Sequence, residues 1–166
     1  MNAEEPSPTT GDAAELFAGY LRFYREKAVE KVASLSREEQ RSSRLPSGWS
    51  PLELLYHLAH MERRWFVWGF LGEDVDEPWG DGADRWQVPE DVDLAAITHM
   101  LSEIGEVVDA ILAGHDLAEV SPPGPRFGDG PPAPLSWICF HVLQEYARHV
   151  GHLDIAVELA GGPTGE

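Results

Sequence analysis

The stretch SPLELLYHLAHMERRWF, residues 50–66, carries the clearest helix start in the chain. Ser50 stands as N-cap, Pro51 takes the first helical position, and Glu53 is placed to reach back to the cap. The helix is expected to run to about Phe70. At about 100° per residue, Leu54, Met61, Arg64, Trp65 and Trp68 fall within about 80° of His57, which therefore faces the core. His60 lies about 60° away, near the same side.

Working outward, three further amphipathic helices are expected. Ala13, Leu16, Phe17, Tyr20, Leu21, Tyr24, Ala28, Val32 and Leu35 recur at three- and four-residue steps from Asp12 onward, while Arg22, Arg25, Glu26, Lys27 and Lys31 take the other sides. Ser36 with Glu39 suggests a capping box for one short turn. Residues 94–113 carry Leu94, Ile97, Met100, Leu101, Ile104, Val108, Ile111 and Leu112, with Asp93 as cap and Gly114 as stop. The last helix begins near Pro134 and ends at Gly161 and Gly162.

Two long connections separate these helices. Residues 71–93 hold nine acidic residues and one arginine; residues 115–133 hold five prolines and three glycines, which forbid regular helix. No period-two alternation and no internal repeat is present. The expected fold is all-α, a four-helix bundle with long crossover connections, formed as a single domain over residues 12–162 behind a mobile tail of residues 1–11.

Composition narrows the function. Twelve basic residues against twenty-nine acidic ones give a formal charge of −17, the wrong sign for a nucleic-acid or anionic-membrane partner. The one cysteine, Cys139, can form no internal disulfide and reads as a small buried residue rather than a nucleophile. The start of the chain lacks a basic-then-apolar leader, and no apolar run approaches the ~20 residues of a membrane span, so a cytoplasmic location is expected.

Five of the seven histidines cluster in two stretches, His57 and His60 on the second helix and His141, His149 and His152 on the last. On the last helix Glu145, Ile138, Ala156, Val142 and Leu153 all lie within about 40° of His149, so Glu145 and His149 sit mid-way across its apolar face. His141 and His152 fall at its margin. A buried carboxylate without a partner is costly, and a metal ion removes that cost. The expected ligands are His57, Glu145 and His149. His57 is taken over His60 because Leu54, Met61 and Trp68 bracket it, although spacing does not wholly separate the two. Two imidazoles and one carboxylate leave a coordination position open, as in catalytic zinc sites; zinc is the first expectation, and nickel and iron accept the same set. His99 and His115 are expected at the surface.

GWSPLELLYHLAHMERRWF, followed by WICFHVLQEYARHVGHLDIAVELAGG, resembles the DinB-like superfamily of small four-helix metalloproteins. The resemblance is greatest to an actinobacterial branch containing mycothiol-dependent maleylpyruvate isomerase and mycothiol S-transferases. It implies that His57 matches the ligand on the second helix, Glu145 and His149 the ligand pair on the last, and Gly151 the small residue beyond them. It also implies mycothiol as the thiol. The isomerase carries a further C-terminal domain, so transfer rather than isomerisation is the expected activity.

The expected function is a metal-dependent thiol S-transferase acting on a small-molecule thiol and a small electrophile, as a monomer or homodimer. His60, His141 and His152 are candidates for orienting ligands or moving protons. Arg64 and Trp68 are candidates for substrate binding, Arg64 through an anionic group unless it pairs with the acidic 71–93 segment. That segment is a candidate lid, with Trp79 or Trp86 at a pocket mouth. The alternatives are a metal-dependent hydrolase of a small ester or amide, in which bound water is the nucleophile, and a metal-stabilised helical binding module.

Overall fold

The structure, a computed structural model, describes residues 4–80 and 87–163. Its helices are α1 (Ala13–Ala33), α2 (Arg37–Arg41), α3 (Pro51–Arg63), α4 (Leu94–Gly114) and α5 (Leu135–Leu159), and α3 runs on directly into a π-helical segment, Arg64–Leu71. Among the described residues there is no β-strand; a single bridge pairs Val120 with Pro134.

The starts are set by side chains that accept otherwise unpaired backbone N–H groups. Asp12 accepts from Glu15 N, Ser36 from Glu39 N and Asp93 from Ala96 N. At α3 the full capping box forms, with Glu53 N donating to Ser50 Oγ at 3.2 Å and Ser50 N donating to Glu53 Oε2 at 2.7 Å. At α2 the Glu39 carboxylate turns to the Arg44 guanidinium. The start of α5 has no side-chain cap; Leu135 N and Ser136 N donate instead to the carbonyls of Glu119 and Leu117, both at 2.8 Å. The proline-rich connection therefore clamps α5 in place. At its far end Gly161, with φ of 79°, lets Gly162 N reach back to Val157 O, which closes the helix.

The packing places α1 against α4 and α5, and α3 against the same two. Helices α1 and α3 thus lie across one diagonal of the bundle and α4 and α5 across the other. The diagonal links are the α2-bearing segment and residues 115–134, while residues 72–93 join neighbours. Leu21, Ala28 and Val32 of α1, Leu55 and Leu58 of α3, Ile97 and Val108 of α4, and Ile138, Val142 and Leu153 of α5 are fully buried between them.

Two features depart from the sequence pattern. The second helix does not stay α-helical to Phe70. From Arg64 it widens into i→i+5 bonding, and a turn that holds more than about 3.6 residues shifts the phase of every side chain beyond it. Trp65, Phe66, Gly69 and Phe70 are buried, and Trp68 is left half-buried. Gly72, left-handed at φ of 69°, ends the segment.

The second departure is Arg25, which the α1 pattern places among solvated residues and the structure buries to 7% exposure. Its Nε and Nη2 grip Glu62 of α3 at 2.7–3.0 Å, and Tyr146 Oη of α5 donates to Glu62 Oε2 at 2.7 Å. Glu62 and Tyr146 are completely buried. Gly105 of α4 makes room, since a Cβ there would lie 3.1 Å from Arg25 Nη1. Burial alone would weaken the charge on Arg25, but the Glu62 carboxylate outweighs it and holds the guanidinium protonated. Burial, reinforced by Glu62, raises the Tyr146 phenol well above its ordinary value.

Removing one partner of a buried ion pair strands the other. Glu62→Ala should therefore destabilise the protein by about 3–5 kcal/mol, and Tyr146→Phe by about 1.5–3 kcal/mol, in urea unfolding followed by circular dichroism. Cys139 is fully buried, and burial pushes its thiol up to about 12. Iodoacetamide at pH 8 should label it at least about a thousandfold more slowly in the native protein than in urea, because almost no thiolate is present in the fold.

Candidate metal centre

His57 lies on α3, and Glu145 and His149 lie one turn apart on α5, the helix packed against it. The three offer ligand atoms that all lie within 4.8 Å of one another. Glu145 Oε2 is 3.3 Å from His149 Nε2 and 3.6 Å from His57 Nε2, and the two imidazole rings are 4.7 Å apart. Tetrahedral coordination with bonds of about 2.0–2.2 Å separates neighbouring ligand atoms by about 3.4 Å. The donor chemistry and the spacing both fit a divalent cation.

Electrostatics favour neutral, ligating imidazoles. His57 is buried, and burial first, then His149, Arg64 and His60, pull its pKa down to about 3. His149 is lowered chiefly by burial, with Glu145 opposing and His152 adding to the fall. Trp49 stands beside both rings, edge-on to His57 at 5.8 Å and stacked on His149 at 6.5 Å. A pocket of about 260 Å³ opens there, between Trp49, Leu54, Arg148, His149 and His152. A larger cavity, about 490 Å³, lies between α1 and α4 around Arg22, Arg25 and Asp109, and holds none of these residues.

The other expected site residues take distinct places. His152 Nδ1 is 3.4 Å from His149 Nδ1, so it stands behind the His149 ring, on the side away from Glu145. His60 is buried with its ring 4.4 Å from Tyr56. His141 is sandwiched between Trp65 at 4.3 Å and Trp137, nearly parallel at 5.2 Å, and its pKa is lowered chiefly by burial. Arg64 is buried, donates from Nη1 to Pro78 O at 3.0 Å and lies over Trp79 at 4.4 Å from the ring centre, both of them residues of the acidic segment. Burial and Arg126 lower its pKa to about 10. Trp68 is half-buried, with the Arg126 guanidinium 6.0 Å from its ring. Trp86 lies outside the described residues. His99 is exposed; His115 pairs with Glu119 at 2.9 Å.

One residue at the site carries no helical-periodicity signal because it sits in a loop: Trp49, just before the α3 cap. Its place next to a cap, where an apolar residue often packs on the helix, is the signal that finds it.

The match of the chain to a family model places this all-α bundle in the class of DinB-like four-helix proteins. Within it, the mycothiol-S-transferase family model matches residues 16–162, and this chain belongs to that family. No curated protein matches the chain.

If the three side chains form the centre, His57→Ala, Glu145→Ala and His149→Ala should each weaken zinc binding by more than the roughly 10–100-fold of a lost outer partner such as His152→Ala. Competition with a chromogenic chelator measures both classes of variant.

Proposed function

We propose that this protein is a divalent-metal-dependent S-transferase that joins a low-molecular-weight thiol, mycothiol, to a small electrophile. The observation that carries the reading is the His57, Glu145 and His149 group, with a pocket beside Trp49 that His149 also lines, in a chain of the mycothiol-S-transferase family. We take residues 12–162 as its single working domain, acting in the cytoplasm as a monomer or homodimer. No helix among the described residues is long and apolar enough to cross a membrane.

Zinc is the cation the donor set suits first, with nickel and iron as substitutes. Bound there, the cation supplies the charge that favours the thiolate over the thiol at neutral pH. A free thiol with a pKa near 8.5 is only about 3% ionised at pH 7, so ionisation alone offers up to about thirtyfold in rate. His57, Glu145 and His149 would hold the cation with three protein donors, a set that would leave it free to take the thiol sulfur as well. His152 orients the His149 ring, and its exposure on the pocket side suits it to pass the thiol proton to water. His141 and His60 are the other candidates for that transfer. Trp49 walls the imidazoles from one side, which fixes their rotamers and keeps the sulfur in the pocket. The thiolate then attacks the electrophilic carbon: a carbon–sulfur bond forms, and the leaving group departs with its electron pair. Arg64 and Trp68 bound the electrophile.

Zinc-loaded protein should conjugate mycothiol to monochlorobimane, read by fluorescence. Chelation should reduce the rate at least about tenfold, and stoichiometric zinc should restore it. His149→Ala should behave like the chelated protein. Zinc-loaded protein that gives only the uncatalysed rate with several electrophiles would overturn the proposal.

A further inference from the structure

The cavity of about 490 Å³ between α1 and α4 shares no residue with the metal group, and its size is that of a small-molecule site. Its depth comes from one missing side chain. A Cβ on Gly105 would lie 3.1 Å from Nη1, 3.3 Å from Cζ and 3.6 Å from Nε of Arg25. Distances so nearly equal put that point over the flat face of the guanidinium, not beyond its edge. Arg25 and Gly105 both line the cavity, so the face is what its floor presents. Glu62 takes Nε and Nη2, which holds the plane still. Val29 of α1 and Leu101 of α4 add apolar wall on either side.

The rim has the opposite character. Glu26, Glu30, Glu106 and Asp109 line it, with Arg22 as the one cation besides Arg25. Arg22 is spent on Asp109 Oδ2 at 2.8 Å, Arg25 on Glu62, and Glu30 on Lys27 at 3.1 Å. Among the described residues Glu26 and Glu106 form no ion pair, so the rim keeps a surplus of negative charge. Asp109 Oδ1 is moreover buried without a hydrogen bond. Arg22 is largely exposed, and an exposed ion pair is weak. An ammonium that takes its place brings three donors to a carboxylate now using one oxygen.

We propose that the cavity between α1 and α4 is a second binding site, separate from the metal group, for an organic cation carried on an aromatic body. The ring lies over the Arg25 guanidinium, in the space that a side chain at position 105 would fill, with Val29 and Leu101 at its edges. The ammonium sits at the rim on Asp109, in the field of Glu26 and Glu106. An anion of the same shape meets those carboxylates and is repelled. The proposal is independent of the transferase reading, because it uses neither the metal nor the thiol.

The test is calorimetric titration of zinc-loaded protein with 2-phenylethylammonium. Three relatives serve as controls: neutral 2-phenylethanol, anionic 3-phenylpropanoate and ring-free propylammonium. The arylammonium should bind at one site, and each control should bind at least about tenfold more weakly. Ser102→Trp, an exposed position that lines the cavity, should fill it from the rim and weaken binding at least about tenfold. The double variant Glu26→Gln with Glu106→Gln should weaken it about three- to tenfold without touching the core. In nitrogen–proton spectra the Gly105 amide and the Arg25 Nε–H should both shift on titration. Binding should be unchanged in His149→Ala, which separates this site from amine coordination at the metal.

Absence of 2-phenylethylammonium binding overturns the proposal. So does binding of 2-phenylethanol or 3-phenylpropanoate with equal affinity, or binding that survives intact in Ser102→Trp. Binding abolished by His149→Ala also overturns it, since the amine then sits at the metal group. Retained binding in His149→Ala together with loss in Ser102→Trp supports it, whatever the outcome of the mycothiol assay.

Discussion

The buried grip of Arg25 on Glu62, completed by the Tyr146 hydroxyl, is the contact on which the rest of the molecule depends. It joins α1, α3 and α5 at one point with charge-assisted bonds whose geometry tolerates little sliding. Glu62 lies five residues beyond His57 on the same helix, and Tyr146 is adjacent to Glu145 on the other. A fixed register between these two side chains is a fixed register between His57 and Glu145. Leucine and valine contacts could be satisfied by several neighbouring offsets of the two helices; a bidentate ion pair in a dry core is satisfied by one.

How much of this was legible in the sequence follows from what periodicity can carry. Ser50, Pro51 and Glu53 write a helix start in local chemistry, and the structure has the capping box they spell. The apolar steps of α4 depend only on about 100° per residue, and they read correctly. On α5 the buried arc runs through Tyr146 and Val150, so Glu145 and His149 stand half-buried toward its edge rather than mid-way across it. Arg25 did not read correctly, because periodicity treats every charged residue as a vote for solvent. Its burial depends on Glu62 and on the missing side chain of Gly105, residues on other helices that no one-dimensional pattern pairs with it. Trp49 escaped for a related reason: a loop residue has no face, and only the tertiary fold says where it goes.

Charge is arranged at two scales. The chain as a whole carries a formal charge of −17, while at the centre burial pulls the His57 pKa down to about 3 and, with Arg126, that of Arg64 to about 10.

The π-helical segment deserves to be seen as an adjustable joint. An α-helix converts to such a turn by gaining one residue, and returns by losing it. In α3 the joint lies beyond His57 and Glu62 and before Phe70. His57 and the core ion pair are thus insulated from it, whereas Trp65, Trp68 and the floor under the 115–134 loop all turn with it. A single-codon insertion or deletion here would re-aim those two indoles while the His57, Glu145 and His149 group stayed as it was. A lineage could vary one wall of the bundle through length changes at a single helical turn, with the facing side chains held constant.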